Sequence, residues 1–318
     1  MKKVILMLAI ILVGLISCNQ EVVFPDFKYQ TVYFAYQYPV RTITLGDDAF
    51  VNTDLDNAKK CQIYAATGGV YVSKKNVSIK IEVDNTLLRN GLLFSAGNEI
   101  LAMPREYYTL ASDKISIPNG TLAGGVDVQL TNAFFADTKA IKNTYVIPLK
   151  MTSVTGADSI LGGKNFILYA IKYVNPWHGN YLRRGKDVVT GTINQTIVRH
   201  AQYVEQDEIN KLSTKSLNEL SFPVIIKDKD GRNISVTLTL KFDENAKCTI
   251  SSGTSGYTAT GSGAFVKKGD KNSWGNKDRD ALYLKYDINL SGINVSSSDT
   301  LVMRDRAVTF ETFTPITK

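Results

Sequence analysis

Histidine and cysteine are nearly absent from this chain, with two and three copies among 318 residues. No C-x-x-C pair occurs, so a zinc or dithiol redox site has no ligand set. His178 and His200 are the only imidazoles, and no G-x-S-x-G elbow accompanies them, so a nucleophilic triad does not stand out. Lysine and arginine are plentiful but scattered, and the net charge of +7 comes with no basic block. Nucleic acid, which needs a clustered basic face, is therefore not an expected partner. The glycine-rich "GTSGYTATGSG" (253–263) lacks the G-K-[ST] of a phosphate loop and lies between strands; its glycines suit turns and bulges. Helical apolar stripes are also missing, apart from a weak pattern at 205–217, where Ile209 and Leu212 suggest one short helix.

One apolar run does exist, at the N-terminus. Lys2 and Lys3 precede Val4–Ile16, which is too short to span a bilayer and reads as a signal peptide over 1–17. "LISC" places Ser17 before Cys18 in lipobox spacing, which predicts a diacylated Cys18 and an 18–28 tether. Several acyl chains on one residue hold a protein stably on a membrane. The expectation is an envelope lipoprotein of the outer membrane, at the cell surface or facing the periplasm. Cys61 and Cys248 are then left as two buried thiols or one long-range disulfide.

From Thr31 the periodicity is that of strands. "TVYFAYQ" (31–37), "RTITL" (41–45), "SIKIEV" (78–83), "KISIP" (114–118), "GGVDVQLT" (124–131), "NTYVIPLKMTSV" (143–154) and "NFILYAIKYV" (165–174) alternate or are β-branched. Such spacing predicts a β-sandwich over 29–174. "NPWHGNY" (175–181) marks a boundary, since proline cannot donate to a ladder. Strand patterns resume at 187–204, 220–228, 233–243, 247–253, 256–268, 281–292 and 306–313. They predict a second antiparallel β-domain over 175–318, a small lipocalin-like barrel or a sandwich. The fold class is all-β. "KDKDGRN" (227–233) resembles the start of a calcium loop, but its twelfth position, Thr239, cannot supply the bidentate carboxylate. Asp230-Gly231 is read as a hairpin turn, and no cofactor or metal is expected.

"NSWGNKDRD" (272–280) is the stretch best suited to chemistry. Trp274 could cover the C–H face of a sugar ring, while Asn272, Asn276, Lys277, Asp278, Arg279 and Asp280 address its hydroxyls. The same residues also suit a structural cap on one end of the second domain. Trp177, beside the domain boundary, is a second candidate platform.

"YYTLASDKISIPNGTLAGGVDVQLTN" followed by "NTYVIPLKMTSVTGAD" resembles the N-terminal β-sandwich of a large set of Bacteroidetes lipoproteins of unknown function. "GSGAFVKKGDKNSWGNKDRDALYLKYDI" is similar to the C-terminal β-domain that often follows it. The resemblance spans roughly 24–174 and 175–318. It implies a role beside glycan-utilisation proteins: a glycan ligand, with an outer-membrane importer and its starch-binding-type lipoprotein as partners. "NQEVVFPD" after Cys18 lacks the acidic run that promotes surface export in these bacteria. Two other classes stay open on the sequence. One is a pilus-type adhesin, matured by cleavage after an arginine, for which Arg41 is the early candidate. The other is a hydrolase, which needs two carboxylates converging in a cleft.

Overall fold

The computed structural model describes residues 24–317 other than Asn90 and Lys229; the signal peptide and Cys18 lie outside the described residues. The fold is all-β, and the described residues are 57% strand with two short helices among them.

The first domain places two sheets around one core. One sheet runs from the short strand Ser159–Ile160 through β1 (Thr31–Tyr33), β3 (Lys60–Gly68), β7 (Ala123–Leu130) and β5 (Tyr108–Leu110). The facing sheet carries β2 (Pro39–Thr44), β9 (Phe166–Val174), β8 (Tyr145–Thr155), β4 (Val77–Val83) and β6 (Lys114–Ile117). Ile63, Val126, Ile79, Ile147 and Ile171 meet between them, each at an inward position of an alternating strand. Cys61 sits in this core and Cys248 in that of the second domain, both as free thiols pushed up to about 12 by burial.

The second domain is a closed eight-stranded barrel. Its wall consists of β10 (Gly179–Gly191), β11 (Glu208–Ser216), β12 (Glu219–Lys227), β13 (Asn233–Phe242), β14 (Lys247–Ser252), β15 (Tyr257–Ser273), β16 (Lys277–Leu290) and β17 (Ile293–Asp305). β17 pairs back with β10 from Asn180↔Asp305 to Gly191↔Ile293 and completes the cylinder. Asp228, Asp230 and Gly231 turn the β12–β13 hairpin, with Gly231 at φ 77°, as the Asp-Gly pair predicts.

Two expectations need correction. The helix expected over 205–217 is a 3-10 turn, Val204–Gln206, followed by β11. Asn210 and Leu212 alternate inward there, while Ile209 is half exposed; the period is two, and two isolated apolar residues mimicked a helical spacing. The final barrel strand is 293–305 rather than 306–313, where only Glu311–Thr312 is strand. The serine run 296–298 hid its alternation. β3 was not anticipated either.

The tail beyond Arg306 leaves the barrel. Glu311–Thr312 pairs with β2, Ile316–Thr317 pairs with Leu92–Leu93, and Phe313 packs among Val40, Phe94 and Leu168. The chain thus straps both domains together.

Candidate functional site

The "NSWGNKDRD" loop is the tip of the β15–β16 hairpin. Pairing is regular from Tyr257↔Leu290 to Val266↔Ala281, then slips between Val266 and Asp270 and again before Ser273. Such bulges leave amides without ladder partners. Asp280 Oδ1 accepts the Lys268 amide at 2.7 Å, and Asp278 Oδ1 accepts the Asn272 amide at 3.1 Å. Lys271 Nζ lies 2.9 Å from Asp278 Oδ2, and its hydrogen bond, with that of the Asn272 amide, holds the carboxyl below its ordinary range. Asn272 (φ 46°), Gly275 (φ 69°) and Asn276 (φ 55°) adopt left-handed backbone, which asparagine and glycine tolerate best. The charges and asparagines of this loop therefore shape the turn first.

Trp274 is half-buried. Its indole Nε1 donates to the Met303 carbonyl at 3.2 Å, and the Arg279 guanidinium lies 3.3 Å from the ring centroid. Arg279 Nε also donates to the Trp274 carbonyl. Phe50, from the first domain, stacks near-parallel with the indole at 25° and 6.1 Å. Its own ring is 67% exposed. The sequence reading placed one flat ring here; the fold adds a second, more open one from 224 residues upstream.

Beside this ring pair a cleft of about 270 Å³ opens between the domains, lined by Asp47, Asp48, Lys268, Lys277, Asp278, Arg279, Asp280, Arg304 and Arg306 among others. Its rear is rigid. Arg306, 3% exposed, donates to four carbonyls: His178 (2.8 Å), Asp47 (2.9 Å), Leu45 (2.8 Å) and Asn175 (2.7 Å). Lys267 bridges to Asp47 at 2.8 Å. Asn175, fully buried, donates to the Ser216 and Glu219 carbonyls and anchors the linker to the barrel. His178 Nδ1 accepts the Thr214 amide at 3.0 Å, so this ring is neutral with its proton on Nε2. Burial, then the charges of Arg306, Lys211 and Lys172, push it down to about 3.

The cleft carboxylates are each committed to a partner. Asp47 pairs with Lys267, Asp48 accepts the Phe50 amide, Asp305 accepts from Asn180 Nδ2, and Asp278 and Asp280 close the bulges. Among the described residues no three of His, Cys, Asp and Glu gather as a metal site. Trp177 lies elsewhere, stacked flat on Phe242 at 3.9 Å and packed against the barrel core. One face of its indole is therefore spent on the packing of the barrel. Arg41 lies within β2, its guanidinium bonded to Asp56 and the Thr42 carbonyl.

Sequence reasoning missed a polar cluster inside the barrel. Arg183 donates to Asp299 (3.0 Å) and to the Tyr286 hydroxyl (3.0 Å), which itself donates to Asp299 at 2.7 Å. Arg199 reaches Asp299 at 2.6 Å and pairs bidentately with Asp187, which also accepts from Ser297 at 2.7 Å. Burial alone would raise the Asp187 carboxyl, but bonds from Arg199 and Ser297 and the neighbouring guanidinium charges hold it below its ordinary value. Gly185 leaves room for the cluster: a Cβ there would collide with Asp299. The sequence signal is parity. Arg183 and Asp187 share the inward positions of Tyr181 and Val189, as Ser297 and Asp299 share those of Val295 and Leu301.

Comparison with known proteins bears on both halves. Residues 176–307 match the domain of unknown function DUF5627, and residues 27–158 match a model described as an N-terminal domain. A crystal structure from Bacteroides ovatus, of unknown function, is 47% identical with a TM-score of 0.86; the match covers 92% of this chain and 100% of that one. An auxiliary nutrient binding protein from Bacteroides thetaiotaomicron is 15% identical (TM-score 0.38), covering 83% of this chain and 90% of that one. A two-domain protein of unknown function from Bacteroides fragilis is 11% identical (TM-score 0.32), covering 91% and 90%. Scores that low carry no argument about this chain. No curated protein matches it. At 47% identity over the whole of its relative, the chain belongs to the family of the Bacteroides ovatus protein, two β-domains of which the second is a DUF5627 domain.

Proposed function

We propose that this protein is a non-catalytic, lipid-anchored envelope protein that captures glycan in the cleft between its domains. The observation that carries this reading is the Phe50–Trp274 ring pair, one ring widely exposed, at the edge of a cleft rich in fixed donors and acceptors. A sugar offers one apolar C–H face and a rim of hydroxyls, and needs this combination of flat ring and aimed polar groups. Each half of the platform comes from a different domain, and Arg306 holds the two at a fixed distance. The committed carboxylates favour binding over hydrolysis, because a glycosidase acid must keep a proton to deliver. Arg41, paired inside a strand between two neighbours, suits a pilus-type cleavage poorly. Attachment through Cys18 would hold the cleft at the membrane, where an outer-membrane importer and a starch-binding-type lipoprotein would receive the glycan.

Native gels containing plant or host polysaccharides test the proposal. Phe50→Ala is expected to weaken retardation about tenfold, roughly 1.4 kcal/mol of binding, with an unchanged melting temperature because the ring is exposed. Trp274→Ala should lose binding too, and about 1–2 kcal/mol of stability with its bond to Met303. If no polysaccharide retards the protein, or Phe50→Ala runs like the parent in a gel that does, the cleft is not the glycan site.

A further inference from the structure

The wall of the barrel has a side opening over the buried charge cluster. β10 pairs with β11 only over Gly179–Arg183; from Gly185 to Val189 its partner is the short strand Gln195–Arg199. β12 meets β11 only through Glu219–Ser221, so its outer half, Val224–Lys227, is paired to β13 alone. No ladder joins Gln195–Arg199 to Val224–Lys227. A cavity of about 250 Å³ occupies the gap, with Gln195 and Ile225 at its lips and Val189, Ile197, Ile226 and Val295 along one wall. Arg183, Asp187 and Arg199 form its floor.

We propose that this opening is a second binding site, for one sugar ring or a neutral polyol of that size. The volume suits a single small ring. Arg183, Arg199 and Lys227 on the lining are balanced by Asp187, Glu208 and, behind them, Asp299, which favours an uncharged ligand. Arg183, Arg199, Asp187 and Asp299 are locked by mutual bonds, yet capacity remains. The Arg199 and Asp187 side chains are 15% and 12% exposed, so both still reach the gap. Asp187 Oδ2 accepts only from Arg199, although a carboxylate oxygen has room for a second donor. A ring hydroxyl can donate to Asp187 Oδ2, while the Val and Ile wall receives the C–H face. Geometry of this kind is also a reason to keep charges inside a barrel, where replacing them with apolar residues would usually not reduce stability.

The site is independent of the interdomain cleft, and the test separates the two. Saturation-transfer NMR is run on the whole protein with glucose, galactose, mannose, xylose and N-acetylglucosamine as probes. At least one should give signal in the parent and in Phe50→Ala. Ile225→Trp and Gln195→Trp, which add bulk at exposed lip positions and leave the core alone, should each weaken that binding about tenfold or more while retaining polysaccharide retardation. Ile225→Val should bind as the parent does. The proposal is overturned if no probe binds, or if both tryptophan variants bind as the parent does. Loss of signal in Phe50→Ala alone assigns the sugar to the cleft and overturns it equally.

Discussion

Arg306→Met is expected to remove on the order of 4 kcal/mol of stability and to separate the unfolding of the two domains. The side chain is buried, and its Nε and two NH groups donate to carbonyls contributed by the first domain, the linker and the barrel. Methionine fills the volume and supplies no donor. Four carbonyls then lose a charge-assisted bond, and buried polar groups left unpaired cost roughly 1–3 kcal/mol each, less what water recovers at the cleft. Arg306→Lys should rescue little, because an ammonium cannot spread its donors as a planar guanidinium does. Urea titration followed by tyrosine and tryptophan emission measures the loss. Calorimetry should show one transition in the parent and two in the variant. A change below about 1 kcal/mol, with a single transition retained, would sink the idea that this residue couples the domains. The same variant should weaken polysaccharide retardation, since Phe50 and Trp274 lie on opposite sides of the joint.

The second large effect is a loss of stability in mild acid, set by His178. Burial holds this imidazole near 3, below the ordinary value of 6.5, and the Thr214 amide occupies the nitrogen that would take the proton. A group whose folded pKa is depressed binds its proton preferentially in the unfolded chain. Its contribution is therefore present above 6.5 and drains away as pH falls from 6.5 toward 3, at about 1.4 kcal/mol per pH unit. Between pH 6.5 and 5 the protein should lose about 2 kcal/mol. His178→Asn offers an acceptor in place of Nδ1 and has no titration in this range, so its stability should be nearly flat over the same interval. Urea midpoints at half-unit pH steps would decide the matter. Equal slopes in parent and variant would assign the acid sensitivity to another group. Below pH 4 Asp187 adds its own loss, because its folded pKa is depressed and its ion pairs vanish on protonation.

Both effects reside at a joint whose place, but not whose bonding, shows in the local sequence. "NPW" marks where the first domain's last strand must stop, and β9 does end at Val174. Nothing near 306 in sequence reveals that Arg306 folds back between Leu45 and Asn175. The loop at 272–280 was legible as a place of interest because tryptophan, glycine, asparagine and alternating charges rarely cluster without a structural demand. Its residues meet the structural half of the expectation. Asp278 and Asp280 accept bulge amides, and Asn272 and Asn276 take left-handed backbone. Phe50, the ring that leaves the pair open to solvent, carried no signal of its own within "GDDAFVN".

What the sequence by itself determined is the all-β class and most of the strands, because period-two alternation is a local property of residues that face a core every second position. It also determined that a zinc or dithiol site lacks a ligand set, since too few histidines and cysteines remain wherever they fall. Closure of the barrel, the ring pair across the domains and the charge cluster behind Gln195 and Ile225 were decided only by tertiary structure. Each joins residues far apart in the chain: Gly191 with Ile293, Phe50 with Trp274, Arg183 with Asp299. Such pairings depend on strand register and domain docking, which arise from packing the whole chain at once and leave no periodic trace in any one segment.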